Sequence, residues 1–269
     1  PYVFIVKSLM MVSGANMRIF TLLISLLTLA ACSTSYNATL YPYQDNRSQF
    51  AKSSLQHLMI ASSNYGLPSR HYLTRFESTT DEYVQAYLKK HGKMVHGNKS
   101  FEQQWKNAQD RFGPVFNATT GQKTQVYDEA LAYAASQVFA NNPSLEAIIF
   151  TDLIETPVQY QLASKRYADW HGVRRRVKLE GIGEGIPENF DWSEKLDGIS
   201  LGITIINREL NVVFHSVGGI QVAQALMLGN NTAHFKRRND LFNNANEINE
   251  AIALAFHPFI TMKNYPSQQ

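Results

Sequence analysis

An apolar run that ends at the chain's only cysteine is the sequence feature that most constrains what this protein can fold into. Residues 19–31 are apolar except for Thr21, Ser25 and Thr28, and Cys32 follows directly. A run of 13 residues is too short to span a bilayer, which takes about 20 apolar residues. With Arg18 before it, the run has the length and charge of a signal peptide. The folded part is therefore expected after residue 31, and a lone cysteine excludes an internal disulfide.

The motif Leu29-Ala30-Ala31-Cys32 resembles the lipobox of bacterial lipoproteins, in which leucine, a small residue and alanine or glycine precede a cysteine. The resemblance implies that residues 1–31 are a signal peptide and that Cys32 carries diacylglycerol and, after cleavage, an acyl group such as palmitate on its amine. In that family, aspartate after the cysteine retains the protein in the inner membrane. Ser33 therefore implies the periplasmic face of the outer membrane. An uncleaved helical anchor and an ordinary secretory signal are the alternatives.

The sequence before Met17 does not have the pattern of a folded segment. We expect residues 1–16 to be a spurious extension of the reading frame, with Met17 as the true start and Met10 or Met11 as the alternatives. Cleavage before Cys32 leaves 238 residues (269 less 31), with 23 basic side chains (25 less 2) and 22 acidic ones. This near-neutral balance gives no argument for a nucleic acid partner, and the implied compartment excludes one.

Composition divides the remaining chain into a tether and a domain. Residues 32–50 are rich in Ser, Thr, Asn and Tyr and are expected to be a lipidated tether. Residues 51–262 are long enough to bury a full core and are expected to form a single domain. Hydrophobic periodicity predicts strands at 55–61, 93–96, 147–150, 158–162, 173–179, 199–206, 212–217 and 220–225, and helices at 78–91, 100–112, 124–141 and 240–255.

This order of elements predicts an α/β fold with a mixed sheet flanked by helices. Helices separate the early strands, which favours parallel crossovers, whereas the later strands follow one another as an antiparallel meander. The continuous apolar run at 147–150 is typical of a strand covered on both faces. Ser100 with Gln103 has the spacing of a capping box at the start of a helix.

Together with the lipobox, the element order resembles a group of outer-membrane lipoproteins that includes the curli-secretion lipoprotein and the activators of penicillin-binding proteins. The motifs that carry the resemblance are Asp197-Gly198-Ile199-Ser200-Leu201 and Val212-Val213-Phe214-His215-Ser216. The resemblance implies a sheet flanked by helices and a role in assembly with other envelope proteins. A shared fold does not by itself confer a function.

No set of residues has the pattern of a catalytic or metal site. His91 and His96 could form a metal pair, but Gly92 places them on a helix end and a strand. His215 beside Ser216 lacks the serine elbow and the third group that a nucleophile needs. Asp152 and Glu155 could work at the carboxyl end of a strand, although a helix cap or a turn explains them as well. We expect no enzyme activity, metal or cofactor.

A glycine-rich segment and two basic clusters complete the candidates. Gly181-Ile182-Gly183-Glu184-Gly185 lacks the following helix and the lysine of a phosphate-binding loop and is read as a turn. The basic clusters are candidates for contact with phosphate headgroups, lipopolysaccharide or an acidic protein, although charged side chains also protect exposed sheet edges. Their members are Arg174, Arg176 and Lys178, followed by Lys236, Arg237 and Arg238.

These observations predict a lipid-anchored, periplasm-facing module that binds or assembles with envelope proteins. Its acyl chains hold it at the membrane, its protein partner is unknown, and it could form oligomers. One alternative is a subunit of a secretion or pore complex. The other is a lipidated periplasmic hydrolase, which would need the acids near Asp152 and the imidazole of His215 to converge in a cleft.

Overall fold

The computed structural model describes residues 54–62, 68–158, 160–161, 167–183, 185–188, 190–191 and 195–262. The predicted signal peptide, Cys32 and the tether at 32–50 lie outside these residues. Within them, four helices are present: α1 (Glu77–Lys90), α2 (Lys99–Phe112), α3 (Tyr127–Asn141) and α4 (Ala245–Phe256). A 3-10 helix, Pro68–Phe76, precedes α1.

The strands of the described residues form one five-stranded and two three-stranded sheets. They are β1 (His57–Ser62), β2 (Met94–His96), β3 (Ala147–Val158), β4 (Tyr160–Gln161), β5 (Tyr167–Trp170), β6 (Val173–Arg176), β7 (Leu179–Gly181), β8 (Leu196–Asn207), β9 (Val212–Val222), β10 (Gln224–Gly229) and β11 (Thr232–Arg237).

The main sheet has the order β2-β1-β3-β8-β9. Its first three strands are parallel, because β1 pairs in parallel with both β2 and β3. β8 and β9 are antiparallel to their neighbours. The predicted fold class is therefore confirmed: a mixed sheet flanked by helices, with parallel crossovers first and antiparallel strands in the C-terminal half.

Helices cover both faces of this sheet. One face packs on α1 and α4 through Leu58, Ile149 and Ile252, among others, and the opposite face packs on α2 and α3 through Met59 and Ile148. Successive side chains of a strand point to opposite faces, and Ile148 and Ile149 are both completely buried. The run at 147–150 is continuously apolar because both faces of the strand are buried under helices.

The two small sheets pack around a separate apolar cluster. β11, β10 and β7 form one sheet, and β4, β5 and β6 form the other. Trp170, Leu226 and Leu254 belong to the cluster between them, so α4 contributes to this core as well as to the main one. Full burial of a leucine side chain stabilises the fold by about 1.5–3 kcal/mol.

Several element boundaries differ from the prediction. β3 continues eight residues beyond Phe150, because β8 pairs with it as far as Val158. The capping box is wrong: Ser100 lies inside α2, and the residue before the helix, Asn98, makes no side-chain cap. α4 starts at Ala245, where the side chain of Asn244 accepts from the backbone N–H of Asn246.

The hairpin of β10 and β11 was not predicted beyond residue 225. Leu226 and Leu228 of β10 are buried, whereas β11 is largely exposed. The hairpin lengthens the antiparallel part of the chain. It places Lys236 and Arg237 of the second basic cluster on β11, which β10 separates from β7.

Candidate functional site

A crevice opens at the carboxyl ends of β1 and β2, where the chain changes direction over the sheet. β1 leads to α1 on one face, and β2 leads to α2 on the other face. The two connections therefore leave neighbouring parallel strands toward opposite sides. Open α/β sheets bind their ligands at such a point, in the space between the diverging connections.

The crevice has a volume of about 420 Å³ and is open to solvent. Ile60 of β1 lies at its base. Its walls come from the N-terminal parts of the two helices and from the end of β2. The lining side chains used below are Glu77, Ser78, Asp81, Glu82, His96 and Glu102.

The lining is acidic. Glu77 and Glu102 occupy the first turns of α1 and α2, where a carboxylate is favoured by the helix dipole. Asp81 is held in place because Thr151 Oγ1 donates to its Oδ1 at 2.6 Å. Among the described residues that line the crevice, none is lysine or arginine. The crevice is therefore suited to a cationic group.

No metal centre of three or more protein ligands is built here. Within the described ranges, no three His, Cys, Asp or Glu side chains converge closely enough to hold an ion. The metal pair of His91 and His96, which the sequence allowed but did not predict, does not form. His91 lies just after α1, with its Nδ1 2.8 Å from the carbonyl oxygen of Tyr87, and His96 lies beside His57 instead.

The first basic cluster lies on one exposed side, as its alternation indicated. Arg174 and Arg176 are exposed in β6, and Lys178 is exposed just before β7. Arg174 is paired with Asp169 through two hydrogen bonds of 2.6 and 2.9 Å. Lys178 contacts Glu180 at 2.8 Å and Asp240 at 2.9 Å.

The second basic cluster is divided between the two faces of β11. Lys236 pairs with Ala225 and Arg237 with Gln224, so their side chains point in opposite directions. Arg238 Nε is 2.9 Å from Asp240 Oδ1. Asp240 thus contacts one member of each cluster. The pKa of its carboxyl is lowered mainly by the hydrogen bond from Arg238 and to a smaller extent by the one from Lys178.

Asp152 and Glu155 lie inside β3. The two expected positions, the carboxyl end of a strand and a helix cap or turn, are therefore both wrong. They are three positions apart and therefore point to opposite faces of the strand. Glu155 accepts a hydrogen bond from the hydroxyl of Tyr72 and lies 3.4 Å from the guanidinium of Arg237. Burial, with this hydrogen bond, raises the pKa of Tyr72.

His215 and Ser216 are neighbours in β9 and point to opposite faces of the sheet. His215 Nδ1 is 3.0 Å from Thr204 Oγ1, and burial lowers the pKa of its imidazole. Ser216 is 1% exposed. The four side chains considered for the hydrolase alternative are therefore dispersed over a sheet rather than gathered in a cleft; they are Asp152, Glu155, His215 and Ser216.

The glycine-rich segment serves close packing where the structure describes it. Gly181 ends β7 with φ +103°, and a Cβ there would overlap the carbonyl oxygen of Leu228. The backbone N–H of Gly183 donates to the same oxygen at 3.2 Å. Glu184 lies outside the described residues. These glycines let β7 approach β10.

Two buried polar clusters carry interactions that the sequence pattern did not predict. Arg175 is buried between Val173 and Val177, which are buried on the same face. It donates to the carbonyl oxygen of Ile220 at 2.6 Å and pairs with Glu250 at 2.7 Å. Ser200 Oγ accepts from Trp170 Nε1 at 3.0 Å and lies 2.8 Å from His171 Nδ1. The alternation of β6 places Arg175 on the buried face. This alternation is the feature of the sequence from which its burial could have been predicted.

Each of the described helices is too short to span a lipid bilayer. Comparisons of the chain with protein-family models, curated protein sequences and solved structures find no match.

Proposed function

We propose that this protein is a binding module of the bacterial cell envelope, held at the periplasmic face of the outer membrane by acyl chains on Cys32. The proposed ligand is a cationic segment of another envelope protein, which occupies the crevice between α1 and α2. The motif at 29–32 supports the anchor, and the geometry of the crevice supports the binding role.

The observation that carries the binding role is the acidic crevice at the switch point of the parallel strands. Its walls are the N-terminal parts of two helices on opposite faces of the sheet, so the backbone there is held by both apolar cores. Among the described residues, its lining has four carboxylates and neither lysine nor arginine, a composition that favours a cationic ligand. Complementary charge speeds encounter and selects the partner.

The anchor would add to this affinity by confinement. Residues between Cys32 and 54 can extend at most about 75 Å, so the domain stays in a thin layer beside the membrane. Restriction of both partners to that layer raises their effective concentration without a new contact.

The dispersal of Asp152, Glu155, His215 and Ser216 favours the binding module over the hydrolase alternative. A hydrolase needs its nucleophile, base and acid within hydrogen-bond reach of one substrate atom. Asp152 and Glu155 face opposite sides of β3, and Glu155 is already engaged by Tyr72 and Arg237.

The basic residues remain candidates for contact with an anionic surface. Arg174, Lys178, Arg237 and Arg238 each lie within ion-pair distance of a carboxylate. Arg176 and Lys236 are exposed, and neither forms an ion pair within the described residues. The attraction of these two side chains to an anionic membrane amounts to about 1 kcal/mol each.

Site-specific photocrosslinking in intact envelopes tests the proposal. A photoreactive residue is placed at Ser78 and at Glu102, on opposite walls of the crevice. Matched controls are Ala86, also exposed on α1, and Glu129, an exposed acid in the first turn of α3. We expect discrete crosslinked partners from the crevice positions alone, and their loss when Glu82→Lys or Cys32→Ser is added.

Equal crosslinking from Glu102 and Glu129, or crosslinks unchanged by Glu82→Lys, would contradict a role for the crevice. A product of twice the chain's mass would identify a second copy of this protein as the partner. That outcome would support the secretion-complex alternative.

A further inference from the structure

Two histidines on adjacent parallel strands meet at the edge of the main sheet. His57 begins β1 and His96 ends β2, and the register pairs Met59 with His96. His57 and Met59 share a face of β1, so the two imidazoles are diagonal neighbours on that face. His57 Nδ1 lies 3.4 Å from His96 Nε2, and the rings are tilted by 34°.

The distance between the two nitrogens is informative because a strong hydrogen bond would be shorter. N–H hydrogen bonds usually measure about 2.7–3.2 Å. A tetrahedral ion bound about 2.0–2.1 Å from each nitrogen holds its two ligands about 3.4 Å apart. Rotation of an imidazole about its terminal torsion is soft, so both lone pairs can reach one ion without backbone movement.

We propose that His57 and His96 form a bis-imidazole site for a late first-row divalent cation. Nδ1 of His57 and Nε2 of His96 are the protein ligands, and water completes the coordination. Both rings are only half-buried, which leaves room for those waters. The proposal does not require the binding function above, although His96 also lines the crevice.

The surroundings favour a cation. The Glu146 carboxylate accepts the backbone N–H of His57 at 2.8 Å, and this hydrogen bond, the largest cause, lowers the pKa of its carboxyl. His96 also lines the acidic crevice. Lys93 is a nearby positive charge that disfavours a bound cation. Its Nζ donates to the carbonyl oxygen of Leu55 at 2.7 Å.

The two imidazole donors favour late first-row metals over magnesium and calcium. Imidazole nitrogens suit copper, nickel and zinc, and affinity rises from nickel to copper and falls again at zinc. Magnesium and calcium prefer oxygen ligands and are not expected here. An ion shared by β1 and the three-residue edge strand β2 binds the folded state alone and therefore stabilises it.

The test uses the full chain with Cys32→Ser, which removes the only thiol. Equimolar Cu²⁺ is added, and paramagnetic resonance counts the coordinating nitrogens. We expect two imidazole nitrogens and a saturable 1:1 complex. His57→Gln and His96→Gln are each expected to lose that spectrum, whereas His91→Gln, exposed just after α1, keeps it.

A second measurement guards against misfolded variants. Zn²⁺ is expected to raise the melting temperature of the parent and of His91→Gln, but not of His57→Gln or His96→Gln, whose metal-free near-UV spectra should match the parent. Persistence of the two-nitrogen spectrum in either variant, or no saturable binding by the parent, would overturn the proposal.

Discussion

At the scale of single residues, His171 links a turn to the buried core. It occupies the turn between β5 and β6 with φ +39°, followed by Gly172 with φ +82°. Positive φ at both central residues is the geometry of a tight type I′ hairpin turn, which asparagine adopts more readily than histidine. The contact of its Nδ1 with Ser200 ties this turn to β8.

His171 makes folding stability depend on pH. Burial lowers its pKa below the 6.5 of the unfolded chain, so the unfolded state binds more protons below pH 6.5. The stabilisation is complete above that pH and decreases as pH falls through 6.5 toward the lower folded-state pKa. His171→Asn keeps a turn former and removes the titration.

Urea unfolding between pH 7.5 and 5 measures this effect. We expect the parent to lose more free energy of unfolding over this range than His171→Asn does. Equal pH dependence in the two proteins would exclude His171 as the source.

Arg208 is a second residue whose role is set by a local geometry. Its guanidinium donates to the carbonyl oxygens of Phe139, Asn142, Pro143 and Leu145, at 2.6–3.2 Å. Phe139 lies in the last turn of α3, where carbonyls lack partners within the helix, and the other three residues belong to the segment that follows α3. Arg208→Ala should lower the free energy of unfolding by about 1–3 kcal/mol.

The neighbouring exposed residue supplies the control for Arg208. Glu209→Ala, on the same hairpin loop, is expected to change the free energy of unfolding by less than about 0.5 kcal/mol. Urea denaturation of both variants makes the comparison, and an equal loss from the two would contradict the capping role.

Roles such as these were not predictable from the sequence. Arg208 was visible only as a residue of a hairpin loop, and its partners are more than 60 positions away in the chain. Glu155 and Arg237 were separate candidates, and only folding places them together at Tyr72. The sequence did predict which face of β6 carries Arg174 and Arg176, because alternation is a local property of a strand.

At the scale of elements, the contact between β9 and α4 depends on one glycine. A Cβ at Gly218 would overlap the backbone oxygen of Ala251 in α4. Neither backbone can yield without moving the helix from the sheet. Gly218→Ala is expected to destabilise the fold by about 1–3 kcal/mol or more.

Gly202 in β8 is the matched control, because a Cβ there meets its nearest atom at 3.6 Å. Gly202→Ala should be neutral or slightly stabilising, since glycine weakens a strand interior. Thermal unfolding of the pair distinguishes them. Similar melting temperatures would mean that β9 and α4 are not so closely apposed.

Most elements were predictable, and their ends were not. Val84 and Leu88 of α1, like Phe101 and Trp105 of α2, recur at helical spacing and are buried. The predicted boundaries were wrong where a strand end depends on a partner that is distant in the chain. β3 extends to Val158 because β8 pairs with it along its whole length. No element was predicted from the sequence at Pro68–Phe76, where the structure has a 3-10 helix.

At the scale of the whole molecule, the order of connections creates the candidate site. Two neighbouring parallel strands send their helices to opposite faces, and the crevice is the space left between them. The sequence predicted parallel crossovers but not the strand order β2-β1-β3, so the convergence of Glu77, Asp81, Glu82 and Glu102 was not foreseen. Pairing partners are decided by tertiary packing, which a single sequence does not record.

The binding proposal joins this crevice to a membrane anchor, and the anchor is the claim on which location and partner both depend. Metabolic labelling with an alkyne fatty acid tests it directly, using the intact chain and Cys32→Ser expressed at equal levels. We predict label on the intact chain, recovered with outer membranes, and none on Cys32→Ser. Absence of label on the intact chain, or label that persists in Cys32→Ser, would contradict the account.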